Sequence, residues 1–510
     1  MSATRLNAAA LASLPVDVAV PAYDRAAVKI GVVHLGIGAF HRAHQAVVFD
    51  EALATGDLRW GVLGASLRSQ AVAEQLNPQD GLYTLVVREG AEERLRVIGA
   101  VRGVLVAPED PAALVAAMAH PDVHIVTLTV TEKGYRLDPA TGDLMLEDPE
   151  VAADLADIAS PRTAPGFVVA ALQARKATGL PPFTVISCDN LPHNGARIRA
   201  GVLEMARRID PELADWIAAE GAFPQTMIDR IVPATTPGDI DRLAAHLGVR
   251  DEGMVKAEPF TQWVIEDRFA GGRPDFAAFG VQLTDTVAPW EDAKLRLLNG
   301  AHSAVSYLGA LSGHEHVHEA VVRPAFKAFI EALWDEAEMT LDPPAGLDIA
   351  AYRQELMARF SNSALMHRTR QIAMDGSQKL PQRLLQTART RLAADQSIGA
   401  LALGIAAWMK WQSGVTESGE VFTVDDPLAA KTAELLAGAD NDQARVAALL
   451  SLSAVFPPAL TADDRFAIAV TGAYLSLSTN GAVEAAARIP SPPAGEGGPR
   501  SGSDEGSPDV

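Results

Sequence analysis

Cysteine is almost absent from the chain, and basic residues are in the minority. Cys188 is the only cysteine among 510 residues, which excludes an intrachain disulfide and a cysteine-rich zinc site. The net charge of −21 argues against nucleic acid and anionic membrane surfaces as partners. An anionic ligand would therefore need a local basic pocket.

Long apolar runs are also missing. The N-terminus does not read as a secretion signal, because its apolar stretch is short and is interrupted by Asp17 and Asp24. The longest later run, residues 400–409, is too short to span a bilayer, so we expect a cytoplasmic protein. With 48% hydrophobic and 21% charged residues, the composition is globular, and the length predicts two large domains.

A strand, a glycine-rich turn and a helix follow one another near the N-terminus. Residues 28–35 read as a buried strand, Gly36-Ile37-Gly38-Ala39-Phe40 follows at once, and residues 40–53 have helical character. This order predicts a dinucleotide-binding unit, whose glycines let the backbone approach a pyrophosphate. The fingerprint is incomplete, since His41 stands where a third glycine is usual, and a plain tight turn explains the match about as well. For His41, Arg42 and His44, phosphate contact, helix capping and surface exposure all stay open.

The end of the second predicted strand bears on the choice of cofactor. Residues 60–67 form this strand, and Ser66-Leu67-Arg68-Ser69 closes it without the acidic residue that would bind the adenosine ribose of NAD. Arg68 can meet the 2′-phosphate of NADP or lie in a solvated loop. NAD is the expected cofactor, and NADP is not excluded.

Two more strands, residues 123–130 and 183–188, are followed by Glu132 and Asn190. Ligands of open α/β sheets bind beyond the carboxyl ends of strands, so Gly36, Glu132 and Asn190 are expected to share one site. We predict an α/β fold, with a short N-terminal extension (1–27) before a Rossmann-like, doubly wound domain (28–288). A mainly α-helical domain (289–488) and a disordered tail (489–510) follow, because helical periodicity dominates after about residue 290 and the last stretch is rich in Gly, Pro and Ser.

The helical domain opens with Lys294, Asn299 and His302 in an apolar segment of about residues 292–311. On an α-helix, Asn299 lies about 140° and His302 about 80° round from Lys294, which puts all three on one side. Lys294 and His302 would be roughly 12 Å apart along the axis, a span that suits a linear substrate of sugar length. The alternative is three polar residues on a helix surface.

The chain now supplies four motifs: Gly36-x-Gly38-x-Phe40-x-Arg42, Thr131-Glu132-Lys133-Gly134-Tyr135, Ser187-Cys188-Asp189-Asn190 and Lys294-x4-Asn299-x2-His302. Together they resemble the polyol-specific long-chain dehydrogenases, the mannitol dehydrogenase family. The stretch from His367 to Arg383 is similar to the fructuronate reductase (mannonate oxidoreductase) branch. Its basic residues, Arg368, Arg370, Lys379 and Arg383, form a positive cluster of the kind that a uronate carboxylate requires, although a solvated basic face remains the alternative.

The resemblance implies a metal-independent NAD(P)-dependent reductase. The sequence offers no zinc ligand set, and none of its six tyrosines has a lysine four residues on, so Lys294 is the predicted general acid/base. Asn190 and Asn299 would stabilise the oxyanion. The family comparison further implies that Glu132 relays the proton and His302 binds a substrate oxygen. By the same comparison, Asp229 and Lys379 lie near the hydroxyls and Arg368 meets the carboxylate.

The expected reaction is the interconversion of fructuronate and mannonate. Mannitol/fructose and tagaturonate/altronate are the alternative substrate pairs, and a non-catalytic dinucleotide sensor is the alternative of another class. The expected partners are a small sugar acid or polyol, with no nucleic acid, no membrane and no metal. By family resemblance the chain is a monomer or a small homo-oligomer.

Overall fold

The computed structural model describes residues 4–138 and 141–490; the predicted tail lies outside the described residues from position 491 onward. The described chain divides into two compact units. The first runs through Asp292 and also takes in Pro343–Leu347 and Asn362–Met366, and the second comprises the remainder from Ala293.

The first unit contains three sheets. Its strands are β1 (Val18–Ala19), β2 (Ile30–Leu35), β3 (Gly61–Ser66), β4 (Tyr83–Glu89), β5 (Glu92–Ile98), β6 (Val101–Val106), β7 (Ile125–Leu128), β8 (Thr184–Ser187), β9 (Thr226–Asp229), β10 (Val255–Ala257), β11 (Gln262–Glu266) and β12 (Gln282–Thr284). The two smaller sheets have the orders β1-β5-β4-β10 and β12-β11-β9.

The largest sheet carries the glycine-rich turn. It has five strands in the order β6-β3-β2-β7-β8, and its neighbouring strands pair in parallel. The order reverses between β2 and β7, because the chain adds β3 and β6 on one side of β2 before it adds β7 and β8 on the other. Ligands of such sheets bind beyond the carboxyl ends at this reversal.

The helices of this unit lie on the two faces of this sheet or against a smaller sheet. They are α1 (Ala39–Ala43), α2 (Gln45–Ala54), α3 (Ala71–Leu76), α4 (Pro111–Ala119), α5 (Pro149–Ala156), α6 (Ala164–Ala177), α7 (Asn194–Ile209), α8 (Pro211–Glu220) and α9 (Pro237–Leu247), with α10 (Ala288–Ala293) at the end of the unit. On β2, Val33 belongs to the same core cluster as Phe167 of α6, whereas Val32 belongs to that of Phe49 of α2. Neighbouring strand residues thus face opposite layers, and the predicted Rossmann-like domain is confirmed.

The second unit is built from helices, as predicted. They are α11 (Gly300–Leu311), α12 (Val317–Val321), α13 (Pro324–Glu338), α14 (Ile349–Ser361), α15 (Thr369–Ile372), α16 (Gly376–Leu380), α17 (Gln386–Ala393), α18 (Gly399–Trp411), α19 (Ala429–Ala437), α20 (Asp442–Leu450), α21 (Pro458–Thr461) and α22 (Asp464–Ala487). The apolar run 400–409 is the buried interior of α18. Gly404 of α18 allows a close approach to α11, since a Cβ there would lie 3.0 Å from the Cβ of Ala304.

By length and composition alone, α22 could cross a membrane, and 28% of its most apolar window is buried. Core helices of other proteins meet the same criterion. The helix is also interrupted at Gly481, whose φ is +79°.

Candidate active site

The glycine-rich turn follows β2 directly. Gly36 has a φ of +89°, and a Cβ there would lie 2.3 Å from the backbone oxygen of Thr129, so only glycine fits. A Cβ on Gly38 would meet nothing nearer than the Gly36 oxygen at 3.8 Å. The turn is closed toward the sheet and open at Gly38, where a side chain would take the room that a pyrophosphate needs to reach the backbone.

The other predicted cofactor residues differ in exposure. Ile37 is buried, and a Cβ on Gly64 of β3 would collide with it at 2.3 Å. Ala39 and Phe40 are half-buried at the start of α1, and Arg68 is exposed in the loop after β3. The assignment of Ile37, Ala39, Phe40 and Arg68 to cofactor binding stays a prediction.

A buried histidine supports the turn from below. The hydroxyl of Thr129 donates to the Gly36 oxygen (2.9 Å) and lies 2.8 Å from His34 Nε2. Because that hydroxyl proton is already used, His34 Nε2 must donate to Thr129, and Nδ1 then accepts from Thr127 at 2.7 Å. Burial lowers the pKa of His34 to about 3, which keeps the ring neutral in this network.

The three residues that the sequence left open are all buried. His41, at the position where a third glycine is usual, stacks on His34 of β2 with ring centroids 3.5 Å apart. Arg42 donates to the oxygens of Gly38 (3.2 Å) and Gly253 (2.6 Å). Surface exposure is thus the wrong interpretation for His41, Arg42 and His44.

Asp189 ties together the loops that follow β7 and β8. Its carboxylate accepts hydrogen bonds from the backbone nitrogens of Val130 (3.0 Å) and Thr131 (2.9 Å) and from the Tyr135 hydroxyl (2.7 Å). These bonds hold Thr131 at a φ of +65°, a strained conformation for a β-branched residue. Burial raises the pKa of Asp189, and the three donors oppose that effect.

The predicted catalytic residues of the first unit flank this carboxylate. Glu132 directly follows Thr131, Asn190 directly follows Asp189, and both side chains are exposed. Asp229 ends β9 and is buried. The buried Asn194 uses both its amide nitrogen and its amide oxygen in hydrogen bonds, to Asp189 O, Thr226 and Gly195 N. Its role is therefore structural.

The predicted regular α-helix of about residues 292–311 is wrong at residues 294–299. Residues Lys294–Asn299 form a π-helix between α10 and α11, with i→i+5 hydrogen bonds. The angles calculated for an α-helix therefore do not apply, and Asn299 stands about one π-helical turn after Lys294. Lys294 is buried and Asn299 is half-buried; the Asn299 side chain makes no hydrogen bond to any residue that the structure describes. π-Helical turns frequently occur at functional sites.

A second π-helix, Pro381–Leu385, lies against the first. Pro381 at its start has no N–H, which is a local reason for the irregular turn. The two segments approach closely at Gly300, where a Cβ would lie 3.1 Å from the backbone oxygen of Arg383.

His302 lies one turn into the following helix. Its ring stacks on Phe360 (centroids 5.3 Å apart) and is 4.8 Å from the ring of His367. Its Nε2 is buried without a partner among the described residues. Burial, followed by the basic neighbours His367 and Arg383, holds the pKa of His302 well below its usual range, so the neutral ring has a nitrogen left for a ligand.

The basic stretch separates into exposed and enclosed members. The Arg368 side chain is 67% exposed and lies 3.6 Å from Glu315, so nothing in its surroundings supports the predicted contact with a carboxylate. Lys379 is half-buried and donates to Met374 O; burial, then Arg383, lowers its pKa. The sequence analysis did not single out His34, Asp189 and His367, although Asp189 and His367 stand within the quoted motifs.

Comparison with known proteins agrees with this architecture. Residues 30–278 match the mannitol dehydrogenase Rossmann domain and residues 286–478 the mannitol dehydrogenase C-terminal domain. D-mannonate oxidoreductase of Escherichia coli is 44% identical over 92% of this chain and 98% of its own length. Mannitol 2-dehydrogenase of Aspergillus terreus is 40% identical over 91% of this chain and 94% of its own length.

A solved structure extends the likeness to three dimensions. The ternary complex of Pseudomonas fluorescens mannitol 2-dehydrogenase with NAD and D-mannitol has a TM-score of 0.81 at 39% identity, and the match covers 95% of this chain and 99% of that one. The predicted family and the prediction of an NAD-dependent oxidoreductase are confirmed. The chain belongs to the mannitol dehydrogenase family of oxidoreductases.

Proposed function

We propose that the protein transfers a hydride between NAD and a linear sugar acid, with fructuronate and mannonate as the substrate pair. The observation that carries the proposal is the charge around His302. Its neighbour His367 is uncharged near neutral pH, because burial lowers the pKa of that ring to about 4. The other neighbours that lower the pKa of His302, after burial, are cations: Arg383, Arg359 and Lys379. In a chain of net charge −21, such a cluster favours a ligand with a carboxylate. The 44% identity to D-mannonate oxidoreductase supports the same substrate class.

Lys294 is the general acid/base of this reaction. Its ammonium protonates the new alcohol oxygen during reduction, and its neutral amine takes that proton back during oxidation. Asn299 donates an amide hydrogen bond to the same oxygen and so stabilises the charge that develops there. The neutral His302 uses Nε2 to bind another substrate oxygen.

Further roles rest on the family resemblance. Asn190 supplies the second amide, Glu132 relays the proton between Lys294 and solvent, and Asp229 and Lys379 bind substrate hydroxyls. Each role is open to separate substitution, with turnover and KM as the readouts.

NAD supplies or accepts the hydride when it is bound. The Gly36–Gly38 turn would hold the pyrophosphate, since its backbone is open at Gly38. Arg68, exposed in the loop after β3, is the candidate for contact with the 2′-phosphate of NADP, and comparing rates with NAD and NADP tests that role.

The test is cofactor reduction, followed by absorbance, with D-mannonate, D-altronate and D-mannitol offered separately. We expect the highest kcat/KM with mannonate and NAD. A preference for mannitol would show that the substrate is a neutral polyol. A preference for altronate would show that the substrate is a different sugar acid. The absence of hydride transfer with all three would indicate a dinucleotide sensor. A Lys294→Ala preparation controls for contaminating dehydrogenases.

A further inference from the structure

Most basic residues of the stretch from Arg368 to Arg383 have acidic neighbours. The nitrogen–oxygen distances are 3.6 Å for Arg368–Glu315, 2.7 Å for Arg370–Glu420 and 3.9 Å for Lys379–Asp375. The first two pairs are largely exposed. The charges of Arg368 and Arg370 are thus already balanced near the surface of the second unit. Neither arginine requires a ligand as a counter-ion.

Arg383 is different. Within residues 4–138 and 141–490, no carboxylate lies within 4 Å of its guanidinium, and its Nε is buried without an acceptor. Only Nη1 is engaged, with Ser303 Oγ at 2.9 Å and with the backbone oxygen of Asn299 at 3.5 Å. Arg383 is half-buried, and partly shielding a charge from water without a counter-ion is unfavourable, so the group favours an anion that reaches it.

The backbone fixes Arg383 beside the proposed catalytic residues. Arg383 lies in the second π-helix, and its backbone approaches Gly300, the residue between Asn299 and Ala301. Its side chain then returns to Asn299 O and Ser303 Oγ, on either side of His302 along the chain. The guanidinium is therefore held in one orientation, with Nη2 taken up by none of the described residues.

We infer that Arg383 is the specificity-determining residue that binds the substrate carboxylate, in place of the exposed Arg368. The inference rests on the proposed function, because it assumes a sugar acid as substrate. Arginine suits this task because its planar guanidinium stays charged and pairs with a carboxylate by charge-assisted hydrogen bonds. Lys379 adds a second positive charge nearby, while His302 remains neutral and binds an uncharged oxygen.

The test compares Arg383→Gln and Arg383→Lys with the wild-type enzyme, with D-mannonate and D-mannitol as substrates. We expect Arg383→Gln to raise the KM for mannonate by about 10²-fold, as loss of a hydrogen bond between charged groups does, and to change kcat much less. The loss of kcat/KM should be far greater for mannonate than for mannitol. Arg383→Lys should recover part of the affinity, because it keeps the charge without the planar fork.

Two matched variants accompany these. Arg389→Gln replaces an exposed arginine on α17 and should leave both substrates unaffected. Arg368→Gln tests the competing position, and a rise in the mannonate KM of the size expected for Arg383→Gln would overturn the inference. Raising the ionic strength should also raise the wild-type KM for mannonate more than that for mannitol.

The outcomes separate this inference from the proposed function. Wild-type enzyme that reduces NAD with mannitol but with no sugar acid refutes the proposed function and, with it, the inference. Wild-type enzyme that uses mannonate while Arg383→Gln keeps the same KM refutes the inference alone. An equal loss for both substrates with a lowered melting temperature would show that Arg383 only holds the two π-helices together.

Discussion

Asp189 in the first unit is a buried charge and Arg383 in the second is a half-buried one, and their hydrogen-bonding groups are satisfied to different extents. Asp189 receives three hydrogen bonds, from two backbone nitrogens and a tyrosine hydroxyl. Arg383 has only two acceptors on one nitrogen and no acidic partner among the described residues. A charge whose hydrogen bonds are made within the protein fixes the shape of a loop, whereas a charge with unused hydrogen-bonding groups is available to a ligand.

The same contrast separates two asparagines. Asn194 uses both ends of its amide within the first unit, whereas the Asn299 side chain makes no hydrogen bond to any described residue. Asn194 is therefore a structural residue, whereas the amide of Asn299 is available to a ligand, as its proposed role requires.

Lys294→Ala should produce the largest effect. Removal of a general acid/base lowers turnover by about 10² to 10⁴-fold, and we expect cofactor affinity, measured by fluorescence titration with NADH, to change little. Lys294 belongs to the second unit and the glycine-rich turn to the first, so the two readouts should separate. Near-normal turnover across neutral pH would remove Lys294 as the proton donor.

The two asparagines should respond in opposite ways to alanine substitution. Asn299→Ala should lower kcat by about 10² to 10³-fold, as for an oxyanion-stabilising donor, with little change in the free energy of unfolding. Asn194→Ala should instead destabilise the protein by about 1–3 kcal/mol, because it leaves buried partners unsatisfied. Urea unfolding and steady-state kinetics measure the two quantities. If Asn299→Ala raises KM and leaves kcat unchanged, the oxyanion role is wrong.

The sequence predicted four of the five strands of the largest sheet, for physical reasons, whereas the strands of the two smaller sheets were not predicted. Strand, turn and helix around Gly36 follow from local rules, since a parallel strand is apolar throughout and the turn demands glycine. The predicted strands 28–35, 60–67, 123–130 and 183–188 each contain the observed one. His34 was missed because its importance comes from Thr127 and Thr129, which are distant in sequence.

The errors in the second unit arise from irregular helix. Leu295–Leu298 have ordinary helical sequence character, and nothing in residues 294–299 signals a π-helix. The segment that packs beside it, Pro381–Leu385, is distant in sequence. The sequence likewise gives no reason to prefer Arg383 over Arg368 as the residue that binds a carboxylate. Only packing shows that Arg368 is exposed and paired with an acid, whereas Arg383 is half-buried and has no acidic partner among the described residues.

Asp189→Asn tests whether the satisfied charge fixes the loop after β7. An amide cannot accept all three hydrogen bonds, so we expect a loss of about 1–3 kcal/mol in the free energy of unfolding and a fall in turnover through displacement of Glu132 and Asn190. Asp215→Asn, at an exposed position on α8, is the matched control. Unchanged stability of Asp189→Asn would show that the Val130–Tyr135 loop holds its shape without the charge.

The smallest expected effect is on the pH dependence of stability, and one buried histidine from each unit is used to test it. Burial lowers the pKa of His34 to about 3 and that of His367 to about 4, below the usual value of about 6.5 in an unfolded chain. The unfolded state therefore binds more protons as the pH falls through about 6.5. Stability should decrease between pH 7 and pH 5 by about 2 kcal/mol for each histidine.

Urea unfolding of wild type, His34→Gln and His367→Gln at both pH values tests this expectation, and the readout is the difference between the two pH values rather than the absolute stability. Each variant should lose about 2 kcal/mol of the pH-dependent change. A smaller effect for His367→Gln alone would mean that the ring beside His302 is protonated in the folded protein. The surroundings of His302 would then be more positive still, and the preference for an anionic substrate should increase as the pH falls.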